Sequence, residues 1–451
     1  MVQFKLFVKC IAVMAFFSGN IIASDSADMK ITDTGYGAIE VGQVGNGYFY
    51  DAGGSVPEPI SHVWQQRAYG YMGCDAILKK HLQLEFTGGG LISFSTPQTG
   101  VNPQTMQTRE FFYINSAFAS YKCGEFENPF LSIQAGYFPY KYNQDAKNLG
   151  EYLFRTNSYP LVVYSDFDYA QANLLGLRIN YRLPNKLIEN DLMINSELVG
   201  IPVQDWSISD IIHSNIGDFL NIGIGIDFCN FLNVYQGQYP SQSAEKYFDI
   251  ENLPVDIKRK FYLINGNDTV LYDWKSIKTE AQISIDPKKF IPVDIFGKND
   301  LKLYGEMDII GLKDYPKYYD KIQDRMLTMF GFNLPGFKVI DLVNIEVEYC
   351  PNNSGFSDGN FFGSNNFGSG TIAPLDSNSG VGNYKLNRDP WRWSIYLKKS
   401  ILDGRVDFIG QVARDHKKIN FYYFDQTYMS FIESLPTTQD WWWVFKMAFN
   451  F

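Results

Sequence analysis

The chain ends in Asp440-Trp-Trp-Trp-Val-Phe-Lys-Met-Ala-Phe-Asn-Phe451, a stretch that alternates with a period of two residues. One of its faces is wholly apolar and is formed by Trp441, Trp443, Phe445, Met447, Phe449 and Phe451. The other face is mixed and carries Trp442, Val444, Lys446, Ala448 and Asn450. Because successive side chains of a strand point to opposite sides, the pattern predicts a β-strand whose apolar face needs a core or lipid to cover it.

This stretch resembles the last strand of bacterial outer-membrane β-barrel proteins, which close on alternating apolar residues and a terminal Phe. The resemblance implies that the apolar face meets outer-membrane lipid. It also implies that the barrel-assembly machinery recognises the strand through Trp441, Trp443, Phe445, Phe449 and Phe451. A strand buried at the end of a soluble sandwich would show the same alternation, so the remaining chain has to distinguish the two folds.

Similar alternation recurs along the whole chain, for example in Leu175–Tyr181, Val343–Tyr349 and Val406–Val412. With weaker cases included, we predict strands near 37–50, 62–74, 78–93, 108–122, 128–137, 173–182, 190–199, 204–214, 219–229, 276–286, 300–311, 325–333, 339–350, 390–399, 404–415 and 440–451. These are about sixteen strands of roughly ten residues, the length that a tilted membrane-crossing strand needs. Fourteen or eighteen strands are the alternatives.

The connections between these strands alternate between short and long, as the turns and loops of a membrane barrel do. The stretch 204–214 is a weak strand by itself, but without it the alternation is lost. Within the long connection 230–275, Phe261–Asn267 suggests a small hairpin. The predicted fold class is therefore all-β: one transmembrane antiparallel β-barrel with short periplasmic turns, long external loops and both termini on the periplasmic side.

The N-terminus has the order of a secretory signal peptide. Lys5 and Lys9 precede a short apolar run, and small and polar residues lead to Ser24. We expect residues 1–24 to be removed and residues 25–451 to form the barrel. No later stretch offers about 18 uninterrupted apolar residues, so no membrane-spanning helix is predicted. The expected location is the outer membrane of a Gram-negative-type bacterium.

Composition excludes several classes of function. The net charge is −10 and no Lys/Arg cluster is present, which argues against nucleic-acid binding. The four histidines lack ligand spacing, and the cysteines beyond the leader fit no zinc pattern, so neither a metal nor a cofactor is expected. Cys74 and Cys123 either pair near one rim of the barrel or stay free. The abundant Tyr and Trp residues are explained most simply as girdles at the membrane interfaces.

If the apolar side of each strand faces lipid, the other side lines the lumen. The carboxylates on that side are Glu85, Glu197, Asp227, Glu280, Glu306, Asp308, Glu346, Glu348 and Asp407. The basic residues on that side are Arg178, Arg182, Lys302, Arg392, Lys398, Arg405 and Lys446. Glu306, Asp308, Glu346 and Glu348 would form an acidic arc beside a basic arc with Arg392, Lys398 and Arg405. Opposed arcs would favour polar, dipolar solutes.

The segment that follows Gln134-Ala-Gly-Tyr-Phe-Pro139 combines aromatic and charged residues. Its position is similar to that of the loop which, in porins, follows an early strand and a Gly-aromatic-Pro phrase and constricts the barrel. The resemblance implies that the constriction is lined by Lys141, Asp145, Lys147, Glu151 and Arg155. The alternative is an external loop packed on the rim.

The sequence contains one motif of an enzyme, Gly355-Phe-Ser-Asp-Gly359, but the Asn- and Gly-rich residues after it cannot form the helix of a nucleophile elbow. We therefore expect no catalytic residues and no enzyme. The predicted function is a porin-like channel for passive diffusion of small polar solutes, possible as a homotrimer. The alternatives are a non-conducting adhesin or structural barrel that binds through its external loops, a barrel that handles lipid or hydrophobic solutes, and a secreted carbohydrate-binding β-protein.

Overall fold

The structure is a computed structural model, and all statements below concern the residues that it describes. These are residues 29–49, 58–95, 107–155, 171–183, 187–196, 205–217, 219–232, 261–265, 268–272, 276–291, 294–312, 321–351, 389–417, 421–423, 426–428 and 434–451. The predicted signal peptide, the motif at 355–359 and Glu197 lie outside them.

The described chain is almost entirely β-strand. Its first nine strands are β1 (Met29–Phe49), β2 (Glu58–Leu78), β3 (Leu82–Ser95), β4 (Gln107–Glu125), β5 (Asn128–Tyr140), β6 (Ala172–Arg182), β7 (Ile188–Ser196), β8 (Trp206–Ile216) and β9 (Leu220–Leu232). The remainder are β10 (Phe261–Asn265), β11 (Asp268–Tyr272), β12 (Ser276–Ile285), β13 (Leu303–Ile309), β14 (Met326–Leu334), β15 (Leu342–Tyr349), β16 (Trp391–Ile401), β17 (Val406–Arg414), β18 (Phe421–Tyr423), β19 (Gln426–Tyr428) and β20 (Trp441–Asn450). The helices are α1 (Tyr152–Arg155) and two 3-10 turns at Pro287–Phe290 and Ile322–Arg325.

Sixteen of these strands form one closed antiparallel barrel in the order β1–β9, β12–β17 and β20. The C-terminal strand closes it, because β20 pairs with β17 on one side and with β1 on the other, where Tyr36 lies opposite Asn450. The predicted all-β barrel of about sixteen strands is thus confirmed, including the weak strand, which is β8. The hairpin predicted within the long connection is β10–β11, a separate two-stranded sheet.

The largest error in the predicted strand limits is at β1, which begins at Met29 rather than at residue 37. Its first residues pair with the end of β2, from Met29 opposite Leu78. They extend past the last residue of β20, which lies opposite Tyr36. Both faces of this extension are partly exposed, so the sequence shows no apolar alternation there.

Short and long connections alternate around the barrel, as the sequence predicts. Turns of a few residues join β2 to β3, β4 to β5 and β16 to β17, while β5 and β6 are separated by residues 141–171 and β15 and β16 by residues 350–390. The longest connections therefore leave one end of the barrel, and the connection 286–302 between β12 and β13 is the longest at the other end. The first of these ends is called the loop end below, and the opposite one the turn end.

The two faces of the barrel wall differ in chemistry. The outer face carries exposed apolar side chains on most strands, among them Phe86, Phe112, Ile133, Leu175, Ile224, Ile283, Phe330, Ile395 and Phe445. Polar and charged side chains dominate the inner face. Cys74 and Cys123 are free thiols, so the alternative of a disulfide between them is not what the structure shows. No helix of the described residues has the length and apolarity needed to cross a membrane.

Candidate functional site

Residues 141–155, here called the inserted segment, continue from β5 into the interior of the barrel and end in α1. Leu149, Tyr152 and Leu153 are fully buried, and Glu151 is 1% exposed. Hydrogen bonds to inward-facing side chains of β12, β13 and β15 place the segment within the barrel wall. The segment is therefore a structural part of the lumen.

Apolar contacts hold one side of the segment against the wall from β5 to β9. Phe154 contacts Tyr140 and Tyr142 edge to face, with ring centroids 5.7 and 6.0 Å apart. The same buried cluster includes Phe138, Tyr140, Tyr142, Leu153, Phe154, Ala172, Leu174, Met193, Ile211 and Cys229. Inward apolar side chains on β6, β7 and β8 are unusual for an aqueous lumen, and this cluster explains them.

The other side of the segment is held by carboxylates of the wall, first by Glu346 of β15. Its two oxygens accept the backbone N–H groups of Lys147, Asn148 and Leu149, at 2.5, 2.9 and 2.8 Å. The hydroxyl of Tyr304 donates to the same carboxylate at 2.6 Å. Successive N–H groups of a turn form a concave anion site, and here Glu346 is the anion.

Glu306 of β13 binds the second half of the segment in the same way. It accepts the N–H groups of Glu151 and Tyr152 at 2.6 and 3.2 Å, the Tyr142 hydroxyl at 2.7 Å and the Asn143 amide at 2.7 Å. Gly150, with φ +89°, allows this approach, because a Cβ there would lie 2.9 Å from Glu306 Oε2. Two wall carboxylates with four donors each thus fix the path of the segment.

Further polar contacts tie the segment to several strands. Asp145 accepts hydrogen bonds from Lys302 Nζ at 2.8 Å and from Ser284 Oγ at 2.6 Å. Lys278 Nζ donates to the Leu153 carbonyl at 2.9 Å. The Asn148 amide donates to Asp415 at 2.7 Å. The segment therefore reaches from β5 to the far end of β17.

Glu348 forms a third buried contact of this kind. It receives a hydrogen bond from the Tyr152 hydroxyl and pairs with His416, whose Nε2 lies 2.8 Å from Glu348 Oε1. His416 lies two residues after the end of β17 and is 4% exposed, and its sequence context carries no indication of this role. The pair links α1 to the wall at the loop end.

Carboxyl groups of Glu280 and Asp308 lie close to that of Glu306, on directly opposed positions of β12 and β13. They are 4% and 0% exposed. Within the described part of the chain, no group of three or more His, Cys, Asp or Glu residues has an arrangement that could hold a metal ion. The four carboxylates predicted to form an open acidic arc, Glu306, Asp308, Glu346 and Glu348, are at most 2% exposed, because the segment covers them.

The predicted basic arc is also distributed differently. Lys398 faces inward and pairs with Asp407 at 2.8 Å, whereas Arg392 is buried at the loop end and donates to the Asp389 carbonyl. Arg405 lies exposed in the turn before β17, which begins only at Val406. Along the segment, Glu151 and Arg155 are buried, and Lys141, Asp145 and Lys147 remain partly exposed.

Opposite the segment, the inner wall carries tyrosines. Tyr36, Tyr69, Tyr71, Tyr113 and Tyr396, here called the tyrosine wall, are all partly exposed and lie on inward positions of β1, β2, β4 and β16. Girdles at the membrane interfaces, the explanation predicted for the Tyr and Trp residues, do not account for these five. They have even residue numbers in β1 and odd ones in β2, which places them on the face opposite to Phe445 and Phe451. The alternation of residue numbers along the strands could have shown this.

The charged groups near the tyrosine wall are paired. Arg67 Nε lies 3.4 Å from Glu40 Oε1, and Lys446 Nζ lies 3.9 Å from Glu40 Oε2. Their side chains are 16–24% exposed, so water reaches them. The inner wall of β1, β2 and β20 is thus accessible, in contrast to the covered wall of β12–β15.

Burial shifts the pKa of two groups of the inserted segment. It raises the pKa of Glu151 to about 7, against the opposing effects of Lys141 and Arg155. It lowers the pKa of Lys147 to about 8, with a further decrease from Lys141. Both groups therefore titrate near neutral pH.

We expect the free energy of unfolding to fall as the pH rises from about 4.5 to about 7, because of Glu151. A raised carboxyl pKa means that folding favours the protonated group, so this contribution is complete below the unfolded pKa and is lost as pH rises through 7. Glu151→Gln should remove roughly 3 kcal/mol of the pH-dependent change in the free energy of unfolding, at 1.36 kcal/mol per pKa unit. Urea unfolding in lipid at pH 5 and pH 8 measures it, with exposed Glu125→Gln as the control. If Glu151→Gln showed the same difference in stability between pH 5 and pH 8 as the unmodified protein, the raised pKa of Glu151 would be contradicted.

The barrel resembles solved bacterial outer-membrane porins and channels. A porin variant from Rh. blastica is 10% identical with a TM-score of 0.40, covering 93% of this chain and 100% of that one. The Pseudomonas putida protein OprB is 9% identical with a TM-score of 0.46, covering 93% and 94%. The outer membrane channel DcaP of Acinetobacter baumannii is 9% identical with a TM-score of 0.41, covering 96% and 100%. Likeness of this degree assigns no residue role here. No protein-family model matches the sequence, and no curated protein does.

Proposed function

We propose that the protein is a porin-like channel of the outer membrane through which small polar solutes diffuse passively. One observation carries the proposal, namely the difference in accessibility between the two halves of the inner wall. Glu306 and Glu346 are 2% and 0% exposed beneath the inserted segment. The Arg67 and Lys446 side chains, on the other half, are 23% and 24% exposed.

This difference supports an off-centre passage. The segment occupies the half of the lumen next to β5–β15, and the free half is bounded by β16, β17, β20 and β1–β4. Lys141, Lys147 and Gln144 of the segment face solvent at least partly. A solute would therefore move between these residues and the tyrosine wall, and the width of that gap would set the size limit. The proposed role requires no catalytic step.

The outer face supports a membrane location. The exposed side chains on the outer face of the barrel are mainly apolar, as contact with lipid requires. Closure of the barrel leaves no unpaired strand edge, which is the condition that a membrane-spanning sheet must meet. With this location we also propose removal of residues 1–24 on export and recognition of Trp441, Trp443, Phe445, Phe449 and Phe451 during assembly. A homotrimer is part of the same proposal, although no surface of the described chain identifies a protomer contact.

Single-channel recording of the full protein, purified from membranes in detergent and inserted into a planar bilayer, tests the channel. Stepwise openings of uniform size are expected. Lys446→Glu should shift the ion selectivity toward cations, because the residue lies on the accessible wall. Arg405→Glu, the same change of charge in the exposed turn, is the matched control and should have little effect. A folded, inserted barrel that never conducts would overturn the proposal in favour of the adhesin or lipid-handling alternatives.

A further inference from the structure

The tyrosine wall contains one row in which the side chains are in direct register across four strands. Tyr36 lies opposite Tyr71, Tyr71 opposite Gly89, and Gly89 opposite Tyr113. The rings of Tyr36 and Tyr71 stack, with centroids 5.6 Å apart and planes at 23°. The row therefore presents aromatic surface from β1 to β4 at one level of the barrel.

Gly89 makes this surface continuous. A Cβ at Gly89 would lie 2.7 Å from Tyr113 Cζ and 2.9 Å from its hydroxyl oxygen, so the ring of Tyr113 occupies the space that a side chain would fill. The Tyr113 hydroxyl reaches the Gly70 carbonyl at 3.5 Å. The ring thus lies along the wall instead of projecting across the lumen, and one of its faces is turned toward the passage.

Two more tyrosines extend the surface. Tyr69 lies next to Tyr36, with ring centroids 6.0 Å apart, and Lys446 Nζ lies 5.7 Å from the centroid of the Tyr69 ring. Tyr396 interacts electrostatically with both Tyr36 and Lys446, so it lies at the same part of the lumen. These rings remain partly exposed although they are large and partly apolar.

The charged side chains around the surface are paired with one another. Glu40 lies between Arg67 and Lys446, and Lys398 pairs with Asp407. A charged solute would have to compete with these ion pairs and would lose hydration in the passage. The surface therefore offers ring faces and hydroxyl groups, which suit an uncharged solute with one apolar face and a polar edge.

We propose that the tyrosine wall is a binding surface for neutral saccharides in their pyranose form, an inference that rests on the proposed channel function. A pyranose ring exposes C–H groups on its face and hydroxyl groups on its edge. The face would stack on Tyr36, Tyr71 and Tyr113, and the edge would bond to tyrosine hydroxyls, to Gln65 and Gln411 on the same inner wall, and to water. An open-chain polyol has no such face and gains no stacking.

Current through many inserted channels, recorded while maltose is added, tests the proposal. Maltose should reduce the current reversibly and saturably, and glucose should do so more weakly because it covers fewer rings. Sorbitol, which has no ring, should leave the current unchanged apart from its effect on viscosity. An equal effect of sorbitol and glucose would overturn the proposal, and so would an unaffected current at high maltose concentration.

Variants locate the surface. The double variant Tyr36→Leu/Tyr71→Leu should weaken the maltose effect about tenfold, because two stacking rings are removed. Tyr36→Phe/Tyr71→Phe keeps the rings and should retain most of it. Tyr121→Leu, on the outer face at 49% exposure, is the matched control. Equal maltose affinity in the Leu double variant would overturn the proposal while leaving the channel intact. Absence of any conductance in the unmodified protein would overturn the channel itself.

Discussion

Replacement of Glu346 and Glu306 by Gln should free the inserted segment and raise the single-channel conductance severalfold. Each carboxylate accepts four hydrogen bonds, five of the eight from backbone N–H groups of the segment. A Gln side chain keeps one accepting oxygen and turns an NH2 group toward the remaining donors. Hydrogen bonds to a charged group contribute about 1.5–3 kcal/mol each, so the loss of several removes a large part of what holds the segment against the wall.

Conductance and ion selectivity of the double variant measure this effect, and retention of the folded barrel is checked by its migration on unheated gels. For the conductance, Glu85→Gln is the matched control, since Glu85 also faces inward but accepts its hydrogen bond from Ser116 at 2.6 Å. The expected openings are larger and noisier than those of the unmodified protein. Unchanged conductance in a folded double variant would show that the apolar cluster around Phe154 holds the segment without help from the carboxylates.

Introducing a charge on the outer face should reveal the bilayer. Ile224 is 56% exposed near the middle of the barrel wall on β9, and Ile224→Arg should destabilise the barrel by about 2–4 kcal/mol if lipid covers it. Ile216 is 41% exposed on the same face at the turn end of β8, where Ile216→Arg should cost about 0–1 kcal/mol. Urea unfolding in lipid bilayers measures both. Equal and small losses would mean that water, not lipid, surrounds the outer face.

The sequence predicted the strands well because the apolar outer face of the barrel imposes a rule on every one of them. Each barrel strand has to place apolar side chains on one face, and that rule appears as alternation even in a weak strand such as β8. The alternation of short and long connections added a second constraint. The prediction was poor only where a strand leaves this environment, as at residues 29–36 of β1, which extend beyond β20.

The site could be predicted only in part. The resemblance to porins implied a segment after β5 that folds into the barrel, with packing on the rim as the alternative, but it did not reveal the partners of Glu306 and Glu346. Those partners are mainly backbone N–H groups, which carry no residue-specific pattern. Arg405 lies in the turn before β17 instead of in the strand, a difference of one residue that alternation does not resolve. In contrast, the adjacent apolar residues Leu174 and Leu175 break the alternation of β6, and this break was a readable sign of the buried cluster.

The seam between β1 and β20 joins the two ends of the chain, about four hundred residues apart. Closing a loop of that length has a high entropic cost, and such distant contacts form late and slowly during folding. Until they form, the sheet is an open ribbon whose first and last strands present unpaired backbone groups that can pair with other chains. A chain that has not yet closed its barrel is therefore prone to aggregation, and the yield of closed barrels depends on keeping those two edges apart from other copies until the last strand pairs.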